Sequence, residues 1–312
     1  MNRKRPSGMG FGALRAAAPY LRLYKDRVFV VKLGGEVLSR TSRIEALVEQ
    51  AAVLQALGVR VVIVHGGGPQ STQLTSRLKH SARMVAGRRV TGSEELQVAS
   101  YVLNGEVNTR LLSACRACGV PAVGLSGVDA GLVMARRRPP MKVEGAGEEP
   151  VDFGFVGDIE EVDPAVLKML LKKRFLPIVS PLSADSRGGL LNINADTVAA
   201  AVATAIGAEK LVLTMAAPGI LSDRADASTL LSHLDLAGLR QLRADGALAD
   251  GMLPKAAAIE AAITGGVPRV HLVSGSTEDA LLREVFTNEG CGTLVVRSID
   301  ALSAAEQEAG RQ

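Results

Sequence analysis

Tryptophan is absent from this chain and aromatic residues make up only 3% of it. Its basic runs, Arg3-Lys4-Arg5 and Arg136-Arg137-Arg138, therefore lack the aromatic interleaving of a nucleic-acid surface and read as a solvated terminus and loop. Cysteine is scarce. Cys115 and Cys118 form a Cys-x-x-Cys with no second pair to complete a zinc site, and their spacing predicts buried positions on one helix face. No run reaches the length of a membrane span, and the first residues lack the apolar stretch of a secretory signal, so a cytoplasmic protein without membrane association is expected. The phosphate-binding signature Gly-x-x-x-x-Gly-Lys-Ser/Thr is missing, as is Gly-x-Gly-x-x-Gly, which removes the common P-loop and leaves a dinucleotide fold without support.

What is present is aliphatic. Hydrophobic residues reach 47% over 312 residues, enough for a full core, and the Ala/Val-rich composition suits β-branched strands under Ala-rich helices. The net charge of +4 is small and only weakly favours an anionic substrate. Arg27 to Lys32 reads as a strand ending at Gly34-Gly35, followed by a helix over 42–57. Val59 to Val64 is a second apolar strand running into Gly66-Gly67-Gly68-Pro69 and a helix over 70–79. This βαβ order predicts a parallel sheet with sites beyond the carboxyl ends of its strands.

Further along, 83–91 reads as a hairpin or loop and 93–118 as one long helix. Strand patterns recur at 122–125, 132–135, 153–159, 176–179 and 190–193, and Arg136 to Pro150 as an exposed loop. The second half alternates again: helices over 195–206, 234–242, 254–264 and 277–286, strands over 210–213 and 269–273, and a closing strand over 293–296. Phe11 to Leu23 has helical spacing and suits a helix packed on its own domain or an arm exchanged with a neighbour.

Glycine turns after strands can bring backbone N–H donors close to a phosphate. Two such turns after successive parallel strands face one edge. Lys32 ends the first strand, either snorkelling outward or pointing into a site. Lys255 opens a helix, where a structural lysine is unremarkable. Asp196, in Asn-Ile-Asn-Ala-Asp, suits an N-cap.

Together with Val30–Gly35, Val62–Gln70, 87–96, Leu103–Asn108, 122–132, 151–163, Asn192–Asp196, 250–255 and 287–293, these residues resemble the amino-acid kinase family over about residues 12 to 297. The resemblance implies an α/β fold with an open, mainly parallel sheet between helical layers. It divides the chain into an N-terminal helix or arm (1–25), an amino-acid lobe (26–185) and a nucleotide lobe (186–312) on one continuous sheet. It implies transfer of the γ-phosphoryl of ATP, carried with Mg²⁺, to the side-chain carboxylate of N-acetyl-L-glutamate in arginine biosynthesis. Lys32 and Lys255 would neutralise the moving phosphoryl group and Asp196 would orient them. The phosphates would meet Gly34, Gly35 and Gly67. The amino acid would meet Gly67, Gly68, Arg89 and Asn192. No metal ligand set on the protein is implied.

The family's Leu-Thr-Asp-Val-Pro-Gly reads Thr214-Met215-Ala216-Ala217-Pro218-Gly219 here, with Ala216 replacing the acid beside the nucleotide. That leaves open a kinase for N-acetyl-aminoadipate or a carrier-linked amino acid, or a weakly active sensor. The likeness of 11–22 and 289–293 to arginine-inhibited members implies arginine feedback and a homo-oligomer, dimer or hexamer.

Overall fold

The computed structural model describes residues 11–79, 84–85, 88–142, 147, 149–223, 226–248, 250–287 and 290–302. Helix α1 (Phe11–Tyr24) precedes β1 (Val28–Leu33), α2 (Thr41–Ala56), β2 (Arg60–His65) and α3 (Gly68–Arg77). A short antiparallel pair, β3 (Met84–Val85) and β4 (Arg88–Arg89), leads to α4 (Ser93–Ser100). That helix continues through a π-helical segment (Tyr101–Val107) into α5 (Asn108–Ala117). Next come β5 (Ala122–Ser126), β6 (Val133–Arg137), β7 (Gly157–Val162), α6 (Ala165–Lys172), β8 (Leu176–Ser180), β9 (Leu182–Ala184) and β10 (Leu190–Asn192). The remainder is α7 (Ala195–Ile206), β11 (Lys210–Met215), β12 (His233–Asp235), α8 (Leu236–Ala244), α9 (Leu253–Thr264), β13 (Arg269–Ser274), α10 (Ala280–Phe286) and β14 (Thr293–Val296).

An eight-stranded sheet in the order β12-β14-β13-β11-β1-β2-β8-β5 runs through the molecule, parallel except between β13 and β14. Strands before residue 185 lie on one side of the β1–β11 pair and strands after it on the other. Side chains alternate across the sheet. Phe29, Val31 and Leu33 enter a core with α2, α5 and α10, whereas Val30 and Leu213 enter a second core with α7 and α9. Burying each such aliphatic side chain contributes roughly 1.5–3 kcal/mol. Helix α7 starts where Asn194 accepts hydrogen bonds from the N–H groups of Asp196 and Thr197, and stops at Gly207, whose φ of 68° is left-handed.

Several expectations change. Residues 182–184 and 190–192 belong, with β6 and β7, to a separate four-stranded sheet, and the strand expected from Phe153 begins at Gly157. Leu234 lies on strand β12 rather than in a helix, and this strand takes the sheet edge, so β14 is interior. Both are short pieces of three or four residues, below the length at which alternation can be read. Cys115 is buried, but Cys118 is exposed at the end of α5, because a three-residue step there passes the helix terminus. The basic run is not wholly loop. Arg136 and Arg137 lie on β6, and Arg136, Arg137 and Arg138 pair with Glu160, Asp152 and Asp158. Arg3, Lys4, Arg5 and Glu289 fall outside the described residues.

Candidate active site

The carboxyl ends of β1, β2 and β11 meet where the chain order in the sheet reverses, the usual place for a ligand in an open α/β sheet. Lys32, near the end of β1, projects to the α7 face, since its neighbours Val31 and Leu33 fill the opposite core. Asp196 stands in the first turn of α7, and α7 packs across β1 and against α9. Lys255 stands in the first turn of α9 behind Pro254. Lys32 Nζ lies 2.8 Å from Asp196 Oδ1, and Lys255 Nζ donates to Asp196 Oδ2 at 2.8 Å. Residues 223 positions apart thus share one acid, and all three are largely buried.

The charges do not balance. One carboxylate between two ammonium groups leaves a net positive charge in a desolvated site, a setting that favours an added anion. Burial alone would raise the Asp196 carboxyl, but Lys32 and then Lys255 overcome it and hold the group below the usual carboxylate range. Burial lowers the Lys32 ammonium, assisted by Lys255 and opposed by Asp196. Lys255 also sits at the positive end of the α9 dipole, where a cation is disfavoured. A helix start is a poor place for a purely structural lysine, and Asp196 offsets the cost.

The two glycine turns touch. A Cβ on Gly35 would lie 2.6 Å from Pro69 Cδ, and one on Gly67 would lie 2.7 Å from Leu103 Cδ2 of the π-helical segment. Only glycine fits at either position without displacing a neighbour. The N–H groups of Gly35, Gly67 and Gly68 have no partner among the described residues, and Gly67 caps α3, whose first amides point outward by construction. Open space surrounds Gly68 on its Cβ side. Gly34 plays another part from that expected: its N–H donates to Thr214 Oγ1 at 3.1 Å, so it fixes the turn to β11 rather than offering a free donor.

Asn192 ends β10 half-buried, its backbone N–H bonded to the Phe155 carbonyl at 2.8 Å and its side chain without a hydrogen bond among the described residues. Arg89 lies on β4 with its backbone paired to Met84; its side chain is outside the described residues. Ala216 is exposed just past β11. Two supporting residues escaped the sequence reading. Asn194 takes the N-cap role considered for Asp196 and so frees that carboxylate for the lysines; an Asn two residues before the acid was the available signal. Thr214 had no signal, because its partner is 180 residues away.

Among the described residues no cluster of three or more His, Cys, Asp or Glu side chains is arranged to hold a metal, and both oxygens of Asp196 are taken. The nearest imidazole, His65, is fully buried; burial pushes it down to about 4, and Nδ1 donates to the Gly66 carbonyl at 3.0 Å. It is not placed as a base. Among the described residues no helix is long and apolar enough to cross a membrane.

Comparison with known proteins identifies the family. The profile of the amino acid kinase family matches residues 27–274. Acetylglutamate kinase of Myxococcus xanthus is 49% identical over 290 residues, covering 92% of this chain and 94% of that protein. N-acetylglutamate synthase from Neisseria gonorrhoeae, solved with coenzyme A and N-acetyl-glutamate, superposes with a TM-score of 0.80 at 27% identity over 93% of this chain. This chain spans 64% of that synthase. The same synthase solved with coenzyme A and L-arginine gives a TM-score of 0.79 at 26% identity, covering 93% of this chain and 66% of that one.

Proposed function

Because the chain belongs to the amino acid kinase family, we propose that it transfers the γ-phosphoryl group of ATP to the side-chain carboxylate of N-acetyl-L-glutamate in arginine biosynthesis. The products are N-acetyl-glutamyl 5-phosphate and ADP. The observation that carries this reading is the single Asp196 carboxylate bridging Lys32 and Lys255 at 2.8 Å each.

The acceptor carboxylate is ionised near neutral pH, so its oxygen attacks phosphorus while the bond to the β,γ-bridging oxygen breaks, and no proton moves. The protein's work is positioning and charge stabilisation. Lys32 and Lys255 face the charge that spreads over the transferring oxygens, and Asp196 keeps both ammonium tips from separating. The N–H groups of Gly35 and Gly67 donate to the γ-phosphate, and Gly67 and Gly68 border the acceptor. Arg89 and Asn192 hold its α-carboxylate. Any Mg²⁺ would be carried by the nucleotide phosphates and would supply further charge neutralisation there; Asp196, bound by both lysines, fits that arrangement better than direct metal ligation. Residues 26–185 serve the amino acid and 186–312 the nucleotide, in a cytoplasmic enzyme.

A second site supports feedback by arginine. Tyr20, Tyr24, Lys210, His271, Glu284 and Gly290 surround a small pocket beneath α1. Glu284 supplies an anion for a guanidinium and Lys210 a cation for an α-carboxylate. Helix α1 contributes to this pocket and to subunit assembly in a homo-oligomer, so deleting residues 1–24 lowers both arginine sensitivity and the mass seen by light scattering.

An ATP-dependent hydroxamate assay tests the central reading. N-acetyl-L-glutamate should exceed N-acetyl-aminoadipate, one methylene longer, by about 10–200-fold in kcat/KM. The reverse order reassigns the acceptor; ligand binding without product makes the chain a sensor.

A further inference from the structure

We infer that Gln70 is a positioning residue that clamps the first glycine turn onto the second by fixing the Gly35–Glu36 peptide, which follows directly on the Gly35 N–H that meets the transferring phosphate. The inference rests on the kinase reading above and adds a residue to it. Gln70 lies in the first turn of α3, is only 5% exposed, and donates from Nε2 to the Gly35 carbonyl at 2.8 Å. A buried side-chain amide reaching 35 residues back to a turn carbonyl is a tertiary contact, not a local cap.

Each peptide of the first turn is held by at least one hydrogen bond, and the carbonyl of the Leu33–Gly34 peptide also accepts from the Gly66 N–H at 2.9 Å. The Leu33–Gly34 peptide donates to Thr214 Oγ1 at 3.1 Å. The Gly34–Gly35 peptide accepts from the Leu38 N–H at 3.3 Å, which turns its own N–H the opposite way. The Gly35–Glu36 peptide accepts from Gln70. Two bonds link the turn after β1 to the turn after β2, the Gly66 N–H to the Leu33 carbonyl and Gln70 to the Gly35 carbonyl, and of these the one from Gln70 is made by a side chain and reaches the glycine pair itself. Two adjacent glycines have little steric resistance to a peptide flip, so hydrogen bonds must select the orientation, from Leu38 for the peptide that carries the Gly35 N–H and from Gln70 for the peptide after it. Gln70 Oε1 is buried without a hydrogen-bond partner among the described residues, a cost the protein bears while the amide N–H₂ is turned to Gly35.

The test uses the full-length enzyme and three variants. Gln70→Met keeps the length and loses the donor; Gln70→Glu keeps the shape and puts an acceptor against a carbonyl; Gln70→Asn keeps the amide but falls short. Expected is a loss in kcat of about 10-fold or more for Gln70→Met, the scale of a misdirected donor. The KM for ATP should rise, the KM for the acceptor should stay within about 2-fold, and Gln70→Glu should be worse. Arginine affinity, read at the distant pocket, should match the parent and report an intact fold. A non-hydrolysable ATP analogue titrated calorimetrically should bind Gln70→Met more weakly. Unchanged kcat and ATP KM in Gln70→Met overturn the inference. So does a loss shared equally by ATP, acceptor and arginine, which would mark a general packing role; if Gln70→Met does not fold, Gln70→Asn is read by the same criteria. An inactive parent enzyme would instead overturn the kinase reading, and the calorimetric arm would still decide the clamp.

Discussion

Two buried clusters of charge lie on the β1–β11 strand pair, and they are built to opposite ends. Lys32, beside Leu213 in the register, faces α7 at the carboxyl end of the sheet. Lys210, beside Phe29, lies three residues back on the other face, with Tyr24, His271 and Glu284. In the first cluster one carboxylate serves two cations and positive charge is left over. In the second the charges close. Lys210 Nζ is 3.2 Å from His271 Nε2 and 5.0 Å from the Tyr24 ring centroid. His271 Nδ1 donates to Glu284 Oε1 at 2.8 Å, and Glu284 Oε2 accepts the Cys291 N–H at 2.9 Å. Burial would raise Glu284, yet His271 and the Cys291 amide hold it down at about 2; burial lowers His271 to about 4, helped by Lys210. A neutral imidazole between an ammonium and a carboxylate is a relay already satisfied. The unbalanced cluster suits a moving anion, and the balanced one suits a ligand that brings both charges.

The sharpest way to break the contrast is to remove the shared acid. Asp196→Asn leaves two buried ammonium groups facing each other with no counter-charge, the kind of change that costs about 3–5 kcal/mol. Turnover should fall more than for Lys255→Ala, which removes one electrostatic donor and should cost about 10²-fold or more in kcat. Near-normal kcat in Lys255→Ala, measured by coupled ADP release, would contradict the assignment. The second cluster answers differently. Glu284→Gln removes its anion and frees His271, so the arginine concentration for half-inhibition should rise about 10-fold or more, the scale of losing one buried charge-assisted bond. An unchanged arginine response would detach that pocket from regulation.

How much of this could be read beforehand follows the same division. The turns after β1 and β2 and the helix carrying Asp196 stand out because apolar runs, glycines and an Ala-rich helix are local signals. That Lys32, Asp196 and Lys255 meet is not local; it depends on α7 crossing β1 and packing on α9. The resemblance supplied that meeting, whereas residue spacing left each of the three with a structural alternative. Thr214 and Gln70 were invisible as supports because their partners lie 180 and 35 residues away. Strand β9 was missed and β12 was taken for the start of a helix because three residues cannot display a period; β10 was read as a strand, but its place in a second sheet was not legible. Cys118 was misplaced for a related reason: helical spacing says which face a residue shares but not where the helix ends.

Acid sensitivity offers the smallest and most specific contrast, because two neutral histidines are buried on the same face of the sheet, one at the glycine turn and one in the relay. His65 and His271 are both pushed from the ordinary 6.5 to about 4, chiefly by burial. A histidine with a depressed folded-state pKa binds fewer protons than the unfolded chain does between those values. Its contribution to stability is therefore fully present above about 6.5, declines as pH falls, and is exhausted near 4. Each site contributes about 3 kcal/mol across that window. The two should separate on mutation. His65→Gln removes one titrating group without touching the relay, so its denaturation midpoints should fall less steeply from pH 7 to 4.5 than those of the parent, by about one proton of slope. In Glu284→Gln, His271 loses its carboxylate partner, its pKa moves lower still, and the slope should be retained or increased. Urea unfolding at four pH values across the window measures all three proteins. Parallel curves for His65→Gln and the parent would mean that the imidazole beneath the glycine turn is charged or hydrated in the folded protein, and that the site around it is wetter than the geometry describes.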